Sequence, residues 1–552
     1  MNEITFFLKR GIKVFLILVF VFTETSLFGQ GGEYNYFYRV YFRDKGANSI
    51  DDFSPSDLLS EKAIYRREKS GIEIIDYRDL PVFFGYLNQI SSLGFTLHCT
   101  SKWLNTALFK TKTPADPDLL LALPFVADVK LVKNPVVKSQ YRDKLDFIIE
   151  QINAPPFDRP ITMVNGYPLH YSGFDGSGIL IAVLDAGFFN ADKISSLSSL
   201  RSRNGIKGTF DFVDNDRFVY DYSTHGTAVL SVLAGQIEGI IHGTAPEADF
   251  LLLRTEDVSS EFSSEEDLWA AGAELADSAG ADIISSSLGY YNFDNSSLNY
   301  KYSDLDGNTT FVTRAADIAA SKGILVVNSA GNERDDPWMH IIAPADGDSV
   351  VAVGAVDGYE MISLFSSAGP SFDGRIKPDN STMGVSITVQ MSVSSVVTLS
   401  GTSFSCPVLS GMTACLMEAV PDATNYEIIK ALHSSADRFN MPDSLYGYGI
   451  PDMVKTLQKL QDNHLVIPDN ASVIAPNPTT GSFDVIFREA PGNITVEIFS
   501  SSGVTIYKND LGEYAGRKLR ITALFNKDPG LYFIRLTTGI GTFVHKIVKL
   551  SY

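Results

Sequence analysis

Five short runs of the chain are almost continuously apolar: ILIAVLD ending at Asp185, DFLLLRT from Asp249, ADIISSSLG from Ala281, GILVVNSAG from Gly323 and VVAVGAV from Val350. A half-buried strand alternates apolar with polar residues, so unbroken runs of this length fit strands covered on both faces of a parallel sheet. Other stretches space their apolar residues at a helical period: HGTAVLSVLAG from His225, SEEDLWAAGAELADSAG from Ser264, VTRAADIAASKG from Val312 and TSFSCPVLSGMTACLMEAV from Thr402. Strands alternating with helices predict an α/β fold built on a parallel sheet, over residues 141–462.

The flanks differ in texture. From about Tyr34 to Val137, YFYRVYF and FTLHCT predict strands and SPSDLLSEKAIYRREKS predicts a helix entered through a serine cap, a small α+β unit. From Val466 helical patterning stops. NPTTG, PGN, SSG and DPG are turn signals. FDVIF, ITVEIF, VTIY, KLRITAL, LYFIRL and FVHKIVKL alternate between them, which predicts a small antiparallel β-sandwich of six or seven strands. IPDNASVIAPNPTTG reads as the linker before it. At the other end, Lys9, Arg10 and Lys13 precede an apolar run from Val14 to Phe22 and the small residues Ser26 and Gly29. That is the pattern of a signal peptide processed near Gly29–Gly31, with an apolar run too short to anchor in a bilayer. Four units are expected: 1–29, 30–140, 141–462 and 463–552.

Acidic residues outnumber basic ones, 65 to 45, for a net charge of −20. Nucleic acid, which demands basic surfaces, is excluded as a partner, and no later apolar stretch predicts a transmembrane helix. Three cysteines, Cys99, Cys406 and Cys415, make no disulfide framework and are expected to be buried small apolar residues.

Hydrolysing an amide with a serine needs a base for the nucleophile, a carboxylate to orient that base, and donors for the oxyanion. Open α/β sheets present ligands at the carboxyl ends of their strands. Asp185 ends one such strand. Of two HGT triplets, the one at His225 runs on at helical spacing without proline, which puts His225 at a helix N-terminus. The one at His242 meets Pro246 and is expected in a loop. In LSGTSFSCPVLSGM, Gly401 is expected to permit a tight, strained backbone, and Thr402 and Ser403 to open a helix that tolerates Pro407 only near its start. Unpaired N–H groups and the helix dipole there favour developing negative charge at Ser403; Ser400 precedes the glycine and Ser405 points elsewhere. Asn332, after GILVV, can donate to an oxyanion, an interaction of about 3 kcal/mol in comparable sites. Taken singly, each has an ordinary explanation as a cap, turn or structural residue. Together, at four separate junctions, they make a complete acyl-transfer set.

At these residues the chain resembles the subtilase family of serine peptidases. The order Asp, His, Ser matches it, as do LDAGF, HGTAVLSVLAG, SAGNE and SGTSFSCP. The resemblance implies a subtilisin-like fold, a serine endopeptidase with Asp185, His225 and Ser403 as its triad and Asn332 at the oxyanion, and no required cofactor. SSSLG around Ser287, Leu288 and Gly289 resembles the family's substrate-binding strand, whose backbone pairs with an extended peptide. Residues 30–140, through YRDLPVF and SKWLNTALF, resemble the propeptides of Bacteroidetes-type secreted subtilases. The tail, through APNPTTG, GLYFIRL and KIVKL, resembles a type IX secretion sorting domain. That implies protein or peptide substrates, the type IX machinery as a partner, and passage through periplasm and outer membrane to the cell surface or beyond. Departures stand beside the match. Ala186 replaces the usual Ser or Thr, KPDNSTMG lacks the usual Ala-Pro-Gly, and Cys406 replaces a small Ala or Thr.

Asp211, Asp214 and Asp216 lie close together, an oxygen-rich stretch that could hold a stabilising Ca²⁺ or be a solvated acidic loop. No zinc spacing or phosphate loop is present. The rival function is a catalytically silent cell-surface binding protein on a subtilase scaffold; a processing protease with few substrates is a narrower version of the first reading.

Overall fold

The computed structural model describes residues 36–135, 148–149, 156–464, 472–539 and 541–550. The expected signal peptide at 1–29 and the boundary near 140 lie outside them.

The N-terminal unit carries β1 (Tyr36–Phe42), α1 (Glu61–Lys69), α2 (Phe84–Ser92), β2 (Thr96–Ser101), β3 (Thr106–Thr111) and β4 (Val126–Lys133). Its antiparallel sheet has the order β2-β3-β1-β4. The helix expected over 54–70 is broken. A single turn, Pro55–Leu58, stops at Leu59, which is extended at φ −134° and only 1% exposed. Ser60 then starts α1 afresh, its hydroxyl accepting from the Ala63 N–H. Burial of Leu59 and a second cap outweigh helical continuity.

The central unit is built on a seven-stranded parallel sheet. Its strands are β5 (Leu180–Asp185), β6 (Ile206–Asp211), β7 (Asp249–Arg254), β8 (Ile283–Ser286), β9 (Leu325–Ser329), β10 (Val350–Val356) and β11 (Asn380–Met383), in the order β11-β10-β9-β8-β5-β7-β6. The five apolar runs are the five inner strands. Both edges, β6 and β11, lie in segments too polar to read as strands. All four residues of β11 are buried, and each polar side chain donates to a backbone carbonyl: Asn380 to Gly449 O at 3.1 Å, Ser381 to Tyr446 O at 3.2 Å and Thr382 to Ser405 O at 2.8 Å.

The connecting helices are α3 (His225–Ala234), α4 (Ser264–Ala279), α5 (Phe311–Ser321) and α6 (Thr402–Ala419). Alternate residues of β5 face opposite layers. Ile181 and Val183 pack in one core with Val229, Leu230 and Leu409 of α3 and α6. Leu180, Ala182 and Leu184 pack in the other with Trp269 of α4 and Val312 of α5, joined by Trp103, Leu104, Leu108 and Val132 of the N-terminal unit. The N-terminal unit is therefore seated on α4 and α5, across the sheet from α3 and α6. An antiparallel hairpin, β12 (Ile387–Ser392) and β13 (Ser395–Ser400), leads directly into α6, and residues 148–149 pair with its second strand.

The C-terminal unit has seven strands: β14 (Ser472–Ala475), β15 (Phe483–Phe487), β16 (Gly492–Ser500), β17 (Thr505–Tyr514), β18 (Lys518–Ile521), β19 (Gly530–Thr538) and β20 (Gly541–Lys549). They form antiparallel sheets β14-β15-β18 and β17-β16-β19-β20 around Phe483, Val496, Ile498 and Ile534. The expected linker is too long by its second half. SVIA is β14, and Asn477 and Thr479 bond the backbone of Val548 at 3.0 and 2.8 Å. Cys406 and Cys415 are buried in α6 as expected, whereas Cys99, on β2, is only half-buried.

Candidate active site

Asp185 is the last residue of β5 and His225 the first of α3, so a strand's carboxyl end meets a helix's amino end. His225 Nδ1 and Asp185 Oδ1 are 2.8 Å apart, with residue exposures of 2% and 0%. The Ala186 N–H also donates to Oδ1 at 2.7 Å, while Oδ2 has no partner among the described residues. Ala186 brings a backbone donor but no side-chain hydroxyl to that carboxylate. Gly226 makes the close approach possible: a Cβ there would sit 2.5 Å from Gly187 O and 3.0 Å from Asp185 Cβ. The glycine of the HGT triplet is a packing requirement.

Ser403 is the second residue of α6, half-buried, one position before Phe404, whose ring lies 6.0 Å from that of His225. Gly401 is extended at φ 160°, ψ 155°, so the strained turn expected there is absent; β13 runs straight into the helix. Pro407 lies a full turn into α6 and has no N–H for the Ser403 carbonyl four residues earlier. Ser287 fills that gap. Its hydroxyl donates to Ser403 O at 2.9 Å, and Ser403 Oγ lies 3.4 Å from Ser287 O. Ser287 thus braces the segment that carries Ser403.

Asn332 Oδ1 accepts the Thr402 N–H at 2.8 Å and the Thr402 hydroxyl at 2.9 Å. The same hydroxyl accepts from Gly331 N at 3.3 Å. With its oxygen engaged, the Asn332 amide presents Nδ2, which lies near Gly401 and has no acceptor among the described residues. Ser403 N–H, in the first turn of α6, has no intrahelical acceptor either. Two N–H groups without acceptors among the described residues thus lie at the start of α6. Sequence reasoning passed over Thr402 as a helix starter, although its place between Gly401 and Ser403 was the available signal.

Leu288 and Gly289 continue from β8 beside this site. Leu288 O accepts from Asn328 Nδ2 at 2.9 Å, and Tyr290 pairs with Ala343 through both backbone groups. The other candidates sit elsewhere. His242 is in a two-residue strand rather than a loop, bonded to the Tyr167 hydroxyl at 3.1 Å, with burial holding its pKa below the ordinary value. Ser400 Oγ accepts from Ser386 N, and Ser405 Oγ donates to Thr402 O.

Part of the acidic stretch is paired with one internal cation. Arg254 Nη1 lies 2.7 Å from Asp211 Oδ2 and 2.9 Å from Asp214 Oδ2, and its guanidinium stacks 3.5 Å over Tyr222. Asp211 Oδ1 accepts two N–H groups, the Tyr222 hydroxyl donates to Asp214 Oδ2, and Asp216 Oδ1 caps Phe218 N. Both oxygens of Asp211 and one each of Asp214 and Asp216 are thus engaged by donors. Among the described residues no cluster of three or more His, Cys, Asp or Glu is arranged to hold a metal.

A subtilase-family model, Peptidase S8, matches residues 176–449. A Peptidase S8 propeptide model, Bacteroidota, matches 37–145, and a secretion system C-terminal sorting domain matches 473–550. The thermostable alkaline protease of Halalkalibacterium halodurans is 30% identical over 322 residues, 58% of this chain and 78% of that protein. Subtilisin E of Bacillus subtilis is 29% identical over 351 residues, 63% of this chain and 79% of that one. The thermophilic serine proteinase of Bacillus sp. (strain AK1) is 32% identical over 277 residues, 50% of this chain and 60% of that one.

Proposed function

The chain belongs to the subtilase family and is a secreted serine endopeptidase, and on that premise we propose that Asp185, His225 and Ser403 are its triad, with Asn332 Nδ2 and the Ser403 N–H as its oxyanion hole. The observation that carries this reading is the buried Asp185–His225 pair facing a helix start that holds Ser403 beside an amide whose oxygen is already engaged. Ser403 Oγ attacks the scissile carbonyl while His225 Nε2 takes its proton. Asp185 holds the Nδ1–H tautomer and stabilises the imidazolium. The tetrahedral oxyanion is met by preorganised donors at the amino end of α6. His225 returns the proton to the leaving amine, and the same groups then activate water against the acyl-enzyme. Ser287, Leu288 and Gly289 supply backbone against which an extended protein or peptide substrate pairs.

No step uses a cofactor, and Arg254 rather than calcium is the cation proposed to stabilise the acidic stretch. The proposed units are a signal peptide at 1–29, a prodomain at 30–140, the peptidase at 141–462 and the sorting domain at 463–552. The sorting domain marks the chain for type IX secretion to the cell surface or the extracellular space. Among the described residues no helix is long and apolar enough to cross a membrane.

Labelling the mature protein with a fluorophosphonate tests the site. The expected adduct is on Ser403 and is absent from Ser403→Ala. An adduct elsewhere would refute the assignment, and no adduct at all would favour a catalytically silent binding protein.

A further inference from the structure

Away from the active site, the carboxyl ends of α4 and α5 lie side by side under α1 of the prodomain. Both helices end in a left-handed glycine, Gly280 at φ 90° and Gly323 at φ 86°. Each also touches α1 or its caps: a Cβ on Gly280 would lie 2.7 Å from Lys62 Cβ, and one on Gly323 would lie 2.7 Å from Ser70 Oγ. These glycines therefore terminate helices and admit a third helix.

Helix carboxyl ends carry orphan carbonyls and partial negative charge. Here one guanidinium collects them. Arg66 Nε donates to Lys322 O at 3.1 Å, Nη1 to Ala281 O at 2.5 Å, and Nη2 to Asp277 O at 3.3 Å and also to Asp277 Oδ1. Arg67 adds a 2.6 Å pair to Asp277 Oδ2 and grips Asp79 of its own unit with two bonds, at 2.8 and 2.9 Å. In return Lys322 reaches Asp79 at 2.8 Å and Asp76 at 2.9 Å. Arg66, Arg67, Asp79, Asp277 and Lys322 are each at most 2% exposed.

We propose that the converging carboxyl ends of α4 and α5, with Asp277, form an arginine-binding site on the peptidase, and that Arg66, flanked by Arg67, holds the prodomain there after the connecting chain is cut. Three carbonyls and both oxygens of Asp277 await the guanidiniums on the peptidase side. When the prodomain leaves, Arg67 keeps Asp79, but Asp277 loses Arg66, Arg67 and the more distant Lys102, and Lys322 loses Asp76 and Asp79. The exchange runs in both directions, so neither a uniformly basic nor a uniformly acidic surface reproduces it. Geometry demands arginine at position 66: its three nitrogens point at four acceptors, three carbonyls and one carboxylate oxygen, at the ends of two helices, and the single ammonium of lysine cannot span them.

This inference rests on the reading of residues 30–140 as a released prodomain. Its test uses the full chain carrying Ser403→Ala and a recognition site for an added, site-specific protease after residue 140, so that failure of the triad assignment leaves it untouched. After cutting, the prodomain is expected to co-elute with the peptidase in gel filtration. Arg66→Lys and Asp277→Asn should each release it at least tenfold faster. Retention at the unsubstituted rate in both would overturn the proposal. An arm that needs no further substitution compares release in dilute, non-denaturing guanidinium chloride with release in sodium chloride at the same concentration. Faster release in guanidinium supports the site, and equal rates contradict it.

Discussion

The peptidase uses opposite ends of its helices for opposite purposes. On one face of the sheet, α3 and α6 turn their amino ends toward the carboxyl ends of the strands, where His225 and Ser403 sit. On the other face, α4 and α5 turn their carboxyl ends toward the prodomain, where Arg66 sits. Unpaired N–H groups suit an oxyanion that exists briefly, and unpaired carbonyls suit a guanidinium that stays. On the proposed readings, one backbone property, read with both signs, serves turnover at one end and retention at the other.

Asp185→Asn should act at the amino ends alone. By the tautomer argument kcat falls about 10⁴-fold, with release of the cut prodomain unchanged; a change in both would mean the two faces are coupled. Asn332→Ala removes one oxyanion donor and should lower kcat by about 10²–10³, measured on a peptide substrate with KM little altered.

The prodomain interface should answer to pH through His98. Its ring is buried, with Nε2 3.0 Å from Phe212 O across the interface. Burial, and secondarily Lys110, push its pKa down to about 3 from an ordinary 6.5, against the opposing pull of Phe212 O. Docked His98 stays neutral where the undocked ring takes a proton. Its contribution is therefore complete above pH 6.5 and is lost as pH falls toward 3, by about tenfold in affinity per pH unit. Asp267, pushed up to about 6 chiefly by its own burial, has the opposite sign. The check is thus the difference between wild type and His98→Asn, which should be constant above pH 6.5 and shift below it toward weaker wild-type binding. Smallest is Ser287→Ala, which leaves the Ser403 carbonyl without the donor that Pro407 cannot supply. A loss of about 1 kcal/mol in stability is expected by thermal melting, with prodomain retention unaffected.

What could be read from the sequence follows from how local each feature is. The five inner strands of the peptidase announce themselves because burial on both faces demands apolar residues throughout. The edge strand Asn380–Met383 does not, since hydrogen bonds to Gly449, Tyr446 and Ser405 make its polar side chains buriable. Asp185, His225, Asn332 and Ser403 stand out because each marks a junction between elements visible in its own neighbourhood. The bracing bond from Ser287, named only for the substrate-binding strand, and the role of Thr402 are harder to read, as their bonds to Ser403 O and Asn332 Oδ1 exist only once distant segments meet. The arginine site lies furthest from view: Arg66 and Lys322 are 256 positions apart, and nothing near either suggests the other.

The central claim, that Ser403 is the nucleophile of the Asp185–His225 pair, is tested most directly by casein hydrolysis with wild type and Ser403→Ala, each shown to be folded by its melting transition. The account predicts a loss of about 10⁶-fold in kcat for the variant. Cleavage at the wild-type rate would contradict it.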